Sequence, residues 1–213
     1  MPIILEKGGD SHRINLEKTA AGKPLAGEIV INLDWNKGGI LKNLLGSPVD
    51  LDLGCFYELR NGKKRLIDGL QFSHGRGGDR HHVSNQGCYD SAPYIWHQGD
   101  DRGGGSSSGE TILVNPSGAD EIKRITIYTF IFEGVAKWAE TNAVVKVKVP
   151  GSEEVIVEMG RQTSQKRFCA IAQLDFGTDH TITVKKLVTF HDGHSDCDRA
   201  YGWGFNYKIG SKD

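Results

Sequence analysis

The 213-residue sequence lacks any uninterrupted apolar run of the roughly 18 residues that a membrane-spanning helix needs. Its opening residues, MPIILEKGGDSHR, also lack the apolar core of a secretion signal. An excess of positive charge is missing too, because 26 basic residues face 27 acidic ones and the formal net charge is −1. No strong field would therefore draw the protein to nucleic acid or anionic lipid. These absences predict a cytoplasmic protein with no transmembrane segment and no direct nucleic-acid partner.

The sequence also lacks cysteine pairs at metal-binding or redox spacing. Cys55, Cys88, Cys169 and Cys197 are widely separated, and in a reducing compartment they are predicted to be free thiols. Cys55 and Cys169 lie in the apolar runs GCFY and FCAIA and are predicted to pack in the core. Cys88 and Cys197 are predicted to lie in loops, and a reactive thiolate at either position is an alternative that the sequence does not exclude.

The short motifs that mark common enzymes are missing as well. GDRHH and GDDRGGG lack the lysine and the strand-to-helix context of a phosphate-binding loop. Neither a nucleophile elbow nor a kinase signature occurs. We therefore predict that the protein is not an enzyme.

The sequence does contain a series of short apolar runs, most of them of strand length and bounded by Gly, Pro, Asn or Asp. Such runs without long helices between them predict an all-β fold of two antiparallel sheets packed as a β-sandwich, with a few short helices. Residues 1–213 are interpreted as one domain. Asn61-Gly62 lies between two runs and predicts a hairpin, because both residues tolerate positive φ. The runs cover residues 29–33, 51–59, 65–72, 111–115, 122–132, 143–149, 155–159, 170–175, 181–190 and 204–209.

Three stretches depart from this pattern. Residues 133–142 place three apolar side chains on one helical face and predict two turns of helix. Residues 73–109 are poor in aliphatic side chains and rich in Gly, Ser, His and Asp, and they predict one long functional loop. Trp203 stands between glycines in YGWGFNY and is predicted to pack between the sheets.

An aspartate pair marks the start of one predicted strand. Asp50 and Asp52 flank Leu51, and residues two apart on a strand point to the same face. Two like charges on one face are unfavourable unless a cation neutralises them. The preceding Ser47-Pro48 supplies a loop whose carbonyls can complete a shell of hard oxygen ligands. The pair therefore points to a divalent cation.

A second acidic group brackets the glycine- and serine-rich segment GDDRGGGSSSGETI. Asp100 and Asp101 follow Gly99 at its start, and Glu110 closes it just before a strand. Ca²⁺ takes about six to eight oxygen ligands, and glycines let the backbone turn its carbonyls inward. The spacing is not that of an EF-hand. The alternative is that all these acidic residues are solvated turn residues, because Asp is favoured there for its side-chain hydrogen bonds to the backbone.

Four segments taken in order, IILEKGGDSHRINLEK, EIVINLDWN, VDLDLGCFYEL and GDDRGGGSSSGETI, resemble the TerD family of bacterial tellurium-resistance and stress proteins. The later segments IKRITIYTFIFEGVAKWAETNAVVKVKVP, FCAIAQL and GHSDCDRAYGWGFNYKIGSK are most similar to the TerA-type branch. The resemblance runs from the first residues to the last. The ordered series of motifs is more specific than any one of them.

The resemblance implies a β-sandwich that holds Ca²⁺ between loops at one end and acts in tellurite resistance and stress responses as a non-catalytic interaction or sensing module. Other proteins of the tellurium-resistance system, membrane-associated ones included, are the implied partners. This chain has Ser107-Ser108-Gly109 where much of the family has further acidic residues, which predicts weaker calcium binding there. The implied metal ligands are Asp50, Asp52, Gly99, Asp100, Asp101 and Glu110.

Two groups of histidines offer a different kind of site, since imidazole and thiolate suit zinc or a softer metal. Neither group has the paired spacing of a zinc finger or a helix-borne H-E-x-x-H, so histidines in surface loops remain the simpler interpretation. Two rival functions stay open: a metal- or thiol-dependent enzyme that acts on tellurium oxyanions, and a scaffold that binds no ion. The groups are His74, His81 and His82 in SHGRGGDRHH, and His191, His194 and Cys197 in HDGHSDCD.

Overall fold

Strands are the main regular elements in a computed structural model, which describes residues 1–16, 27–35, 50–99, 109–132, 136, 138–160 and 162–207. Within these ranges, no helix is long and apolar enough to cross a membrane. The short helices are α1 (Gly69–Phe72), α2 (Trp138–Thr141) and α3 (His194–Tyr201), with a 3₁₀ turn at Pro116–Gly118. The strands are β1 (Ile3–Leu5), β2 (Ser11–Asn15), β3 (Ile29–Asp34), β4 (Leu51–Leu59), β5 (Lys64–Asp68), β6 (Gly87–Cys88), β7 (Ile95–His97), β8 (Glu110–Val114), β9 (Ile122–Ile131), β10 (Val144–Lys148), β11 (Val155–Glu158), β12 (Phe168–Phe176) and β13 (Thr181–His191).

The strands form two sheets. One has the order β1-β11-β10-β3-β8-β7-β6, and the other has the order β2-β13-β12-β9-β4-β5. Neighbouring strands run antiparallel except β1 and β11, which are parallel. The predicted all-β sandwich is confirmed, with this one parallel pair as an exception to the predicted antiparallel sheets.

The main hydrophobic core lies between the two sheets. Alternate residues of each strand point into it, as the period of two requires, and in β4 these include Leu51 and Leu53. Ile31 and Val145 face them from the other sheet and, like them, are fully buried. Full burial of such a side chain contributes about 1.5–3 kcal/mol, so this interface holds the sheets together.

The six-stranded sheet is also covered on its outer face. A second cluster there packs Phe56, Tyr128 and Phe168 beneath α3 and the residues that follow it. All nine residues of β4 are consequently buried. Trp203 belongs to this outer cluster and is 2% exposed. The prediction that Trp203 packs between the sheets is therefore wrong, because the C-terminal segment folds over the outside of the sandwich.

The hairpin predicted at Asn61-Gly62 is confirmed. Strands β4 and β5 pair antiparallel, and Gly62 adopts a φ of +85° in the turn. The predicted strand 65–72 is too long, since β5 ends at Asp68 and α1 begins. The Asp68 carboxylate causes the change, because its Oδ1 accepts hydrogen bonds from the N–H groups of Leu70 and Gln71 as an N-cap.

The predicted long loop, residues 73–109, is wrong in part. It contains β6 and β7, which add two short strands to the edge of the seven-stranded sheet. Runs of two and three residues are too short to give a periodic signal. The predicted helix 133–142 is confirmed only in part, because α2 is a single turn, Trp138–Thr141, and neither Ala136 nor Asn142 is helical. Trp138 is buried. Residues 133–135 and 137 lie outside the described part of the chain.

The C-terminal region differs from its sequence-based interpretation. Residues 204–207 form no strand, because the Asp198 carboxylate accepts the N–H groups of Gly204 and Phe205 and ties this segment to α3. Residues 208 and 209 are not described. Helix α3 was not predicted, since few of its residues are apolar, and neither were β1 and β2 at the other end of the chain.

Candidate functional site

The candidate site lies where β4 extends past the end of β5. The last residue pair of the β4–β5 hairpin is Gly54 and Asp68. The alternating hydrogen-bond pattern points the N–H and C=O of Leu53 toward the β5 side, where β5 has already ended. Side chains from the opposite sheet fill this place. Glu110 Oε2 accepts a hydrogen bond from the Leu53 N–H at 2.7 Å, and His97 Nε2 lies 3.1 Å from the Leu53 carbonyl oxygen. The two sheets are thereby linked beside Asp52.

The hydrogen bonds of His97 fix its tautomer. Nε2 must carry the proton that is donated to the Leu53 carbonyl, while Nδ1 accepts the N–H of Gly99 at 3.0 Å. The ring is therefore neutral. Its Nε2 lies 3.7 Å from Glu110 Oε2, so that contact is between a carboxylate and a neutral imidazole rather than an ion pair. Both side chains are buried, with His97 1% and Glu110 4% exposed.

These bonds anchor both ends of the glycine- and serine-rich segment. Gly99, at its start, has a φ of +114° and is held by His97. Gly109, at its end, has a φ of +65°, and a Cβ there would lie 1.9 Å from the Leu33 carbonyl oxygen, so only glycine fits. Glu110 follows directly. Both ends of the segment therefore lie next to the Leu53 peptide, whatever path the residues between them take.

The aspartate pair lies beside the same peptide but in two environments. The N–H that Glu110 accepts belongs to the peptide joining Asp52 to Leu53. Asp52 is 1% exposed, because β4 is covered on both faces, whereas Asp50 precedes the strand and is exposed. The structure thus brings Glu110 and Gly99 to the Asp50–Asp52 stretch. The other predicted ligands, Asp100 and Asp101, lie outside the described residues.

The donor set is that of a hard cation. Asp50, Asp52 and Glu110 offer carboxylate oxygens, which Ca²⁺ prefers to nitrogen or sulfur. No three His, Cys, Asp or Glu side chains form a metal-holding cluster in the parts of the chain that the structure describes. A complete calcium shell would therefore need Asp100 or Asp101, or backbone carbonyls of their segment. Among the described residues, Asp52 and Glu110 could supply carboxylate oxygens to such a shell, but they do not complete one.

The predicted histidine groups do not assemble into metal sites within the described ranges. His81 contacts Asp90 and His82 contacts Asp79, which gives two separate exposed pairs. His191 lies 2.9 Å from the Thr189 hydroxyl. His74 and His82 are both exposed, and neither lies in a cluster of three metal-ligating side chains.

His194 belongs to a buried polar network instead. Its Nε2 lies 2.8 Å from Asp68 Oδ2, which also accepts the Tyr128 hydroxyl at 2.7 Å. Burial alone would raise the pKa of Asp68, but the hydrogen bonds from His194 and Tyr128 outweigh it and lower that pKa. Burial raises the pKa of Tyr128 well above its usual value. The network joins β5, β9 and α3 through satisfied hydrogen bonds.

All four cysteines are free and buried. Cys55 and Cys169 are fully buried in the main hydrophobic core, as predicted, and this burial raises the pKa of both thiols. The loop placement predicted for the other two is wrong, because Cys88 lies in β6 and Cys197 in α3. Burial raises the pKa of Cys197 to about 12, so its thiolate is scarce at neutral pH.

His97 is the residue that the sequence analysis missed. It lies two residues after Ile95 in β7, so both side chains are on the same buried face, and it stands two residues before Gly99. A histidine at the apolar phase of a strand, just ahead of a Gly-Asp pair, is a signal that is visible in the sequence. Its partner cannot be found from the sequence. The Leu53 carbonyl accepts a side-chain hydrogen bond only because β5 ends before it could pair with Leu53.

Comparisons with known proteins agree with this architecture. No family model matches the chain. The tellurium resistance protein TerA of an Alcaligenes species is 36% identical over 198 residues, which are 90% of this chain and 55% of that protein. The chain therefore spans about half the length of this curated relative.

Two crystal structures share the fold at a TM-score of 0.53. One is a homologue of the telluride resistance protein TerD from Streptomyces coelicolor A3(2), with 13% identity over 80% of this chain and 94% of that one. The other is a protein of unknown function, with 12% identity over 78% of this chain and 90% of that one. The chain is therefore similar in sequence to TerA over 90% of its own length, and it shares its fold with a homologue of TerD.

Proposed function

We propose that this protein is a calcium-binding, non-catalytic interaction module that acts in tellurite resistance in the cytoplasm. The role in resistance is supported by the similarity to TerA, which covers most of this chain and about half of TerA. The partners would be other proteins of the resistance system. The burial of all four cysteines favours this function over thiol-based reduction of tellurium oxyanions.

One observation carries the calcium proposal. Glu110 from one sheet and the Asp50–Asp52 stretch from the other meet at the Leu53 peptide, and Gly99 is held there through His97. Two buried carboxylates, Asp52 and Glu110, are thus brought to one small region of the sandwich. Carboxylate oxygens are the ligands that Ca²⁺ prefers, so two of them in one region support a calcium site there. The segment that carries Asp100 and Asp101 is anchored at both ends beside them.

Thermal unfolding in the presence of calcium tests this proposal. A ligand that binds only the folded state adds about 2.7 kcal/mol at a hundredfold excess over its Kd. For a domain of this size the melting temperature should rise by about 5–10 °C. Asp52→Asn and Asp100→Asn should remove most of the rise, while the exposed Asp120→Asn should keep it. A melting curve that calcium leaves unchanged from micromolar to millimolar would contradict the proposal.

A further inference from the structure

The six-stranded sheet ends in an open edge. Strand β5 is its last strand, and in the described residues it pairs only with β4. The hydrogen bond from the Leu59 N–H to the Lys63 carbonyl sets the alternation of bonded pairs along this hairpin. That alternation turns the N–H and C=O of Leu66 away from β4. An added strand would find both groups in position to pair.

A groove of about 760 Å³ wraps this edge. It is lined by Lys64, Arg65, Leu66 and Ile67, four consecutive residues of β5. Successive side chains of a strand point to opposite faces, so the groove follows both sides of the strand rather than one. An extended chain laid along β5 would occupy this space. None of the residues assigned to the calcium site is among its described lining residues.

The groove carries positive charge. Lys64, Arg65 and Arg76 line it, and the described lining residues include no carboxylate. None of the three takes part in an ion pair among the described residues. Lys64 Nζ instead contacts the carbonyl of Trp203 at 3.3 Å, and Arg76 Nη2 donates to the carbonyl of Leu70 at 3.0 Å. These neutral partners position two of the cations and leave their charge unbalanced.

A tyrosine also lines the groove. Tyr57 is 3% exposed, and its hydroxyl makes no hydrogen bond with any described residue. Burial raises the pKa of Tyr57 to about 12, so the group stays a neutral donor at physiological pH. A hydroxyl that no described residue binds can donate a hydrogen bond to a carboxylate or carbonyl of a ligand. Beside it, Leu66, Leu70 and Phe205 give the groove an apolar wall.

We propose that β5 binds an extended acidic peptide segment of a partner protein, which adds a strand to the sheet edge. Main-chain pairing at Leu66 would give the affinity, as in other cases of β-strand addition. Carboxylates of the peptide would meet Lys64, Arg65 and Arg76, which selects acidic segments. Charged residues also serve simply to guard an open edge against unwanted pairing, and the test separates the two roles.

Binding of a fluorescein-labelled peptide of alternating glutamate and valine, followed by anisotropy at low salt, tests the proposal. The assay contains chelator, so its result does not depend on the calcium proposal. The combined variant Lys64→Gln, Arg65→Gln, Arg76→Gln should weaken binding about tenfold or more. Leu66→Pro removes the edge N–H and should weaken it by at least as much. The same peptide with N-methylated backbone should not bind, because it cannot pair with the strand.

The remaining outcomes would overturn the proposal. Equal binding of the N-methylated peptide, with displacement by inorganic phosphate, would indicate a small-anion site. No binding of the acidic peptide, or equal binding of its glutamine counterpart, would mean that Lys64, Arg65 and Arg76 only prevent unwanted pairing at the open edge. A dimer that Leu66→Pro dissolves would make a second copy the occupant. If Leu66→Pro melts at a much lower temperature than the unaltered protein, the N-methylated peptide decides the question alone.

Discussion

The two faces of the six-stranded sheet are buried in different ways. The inner face meets the other sheet through aliphatic side chains such as Leu53, Ile127 and Ile171, all fully buried. The outer face is covered by α3 and the segment after it, and buried carboxylates fasten this cover. The inner interface is therefore stabilised by non-directional burial, whereas the outer cover depends on a few specific hydrogen bonds.

Asp68 is the centre of the outer face. One carboxylate oxygen caps α1, and the other accepts from Tyr128 and contacts His194 of α3. Gly54 makes this arrangement possible, because a Cβ there would lie 2.3 Å from the ring of Tyr128. Asp198 plays a similar part for the segment beyond α3. A single acidic side chain thus holds several elements, which an aliphatic side chain of the inner face does not do.

The largest expected effect is that of Asp68→Ala. The change leaves His194 and Tyr128 without their buried acceptor, and the loss of one partner from a buried network costs about 3–5 kcal/mol. Ile127→Val on the inner face should cost only about 0.5–1.5 kcal/mol. Denaturant unfolding measures both. Equal losses from the two variants would mean that the faces do not differ as the structure indicates.

A smaller effect is expected from Asp198→Ala. Its carboxylate accepts the N–H of Gly204 at 2.6 Å and that of Phe205 at 2.7 Å. Loss of these acceptors should cost about 1–3 kcal/mol. The loss should be local, with faster amide exchange after α3 and a red-shifted Trp203 emission, while the inner-face amides stay protected. Uniformly faster exchange would show that the cover and the inner core unfold as one unit.

The smallest effect is a loss of stability in mild acid. Burial lowers the pKa of His191 below its usual 6.5, although Asp196 acts in the opposite direction. The unfolded chain then binds a proton that the folded chain does not, so stability falls as the pH drops below about 6.5. The lowered pKa values of Asp68 and Glu58 act only at more acidic pH. The fall between pH 7 and 5 should be smaller in His191→Gln, and equal slopes would contradict this assignment.

The sequence predicted the inner face better than the outer one. Long runs rich in β-branched and aromatic residues, such as β9 and β13, predict strands without any knowledge of the neighbouring strands. Helix α3 reads HSDCDRAY and has no apolar stripe, so its place follows from Asp68 and His194, which are far apart in the chain. Local patterns cannot show a cover that is held by long-range hydrogen bonds.

The candidate site was predictable in part for the same reason. Acidic residues beside strand ends drew attention to Asp52 and Glu110, and the structure brings their two stretches together at the Leu53 peptide. His97 was missed because its role arises from the unequal lengths of β4 and β5. That inequality depends on the N-cap formed by Asp68, which turns the chain into α1.

Calorimetric titration of chelator-treated protein with Ca²⁺, Mg²⁺ and Zn²⁺ tests the central claim most directly. A flexible site of carboxylate and carbonyl oxygens should bind Ca²⁺ more tightly than Mg²⁺, which prefers a small octahedral shell and retains water. Zn²⁺ should bind no more tightly than Ca²⁺, because the proposed ligands include no cysteine or histidine. We expect Ca²⁺ binding that Asp52→Asn and Glu110→Gln weaken and Asp120→Asn does not. Absence of Ca²⁺ binding, or binding that Asp52→Asn and Glu110→Gln leave unchanged, would contradict the account.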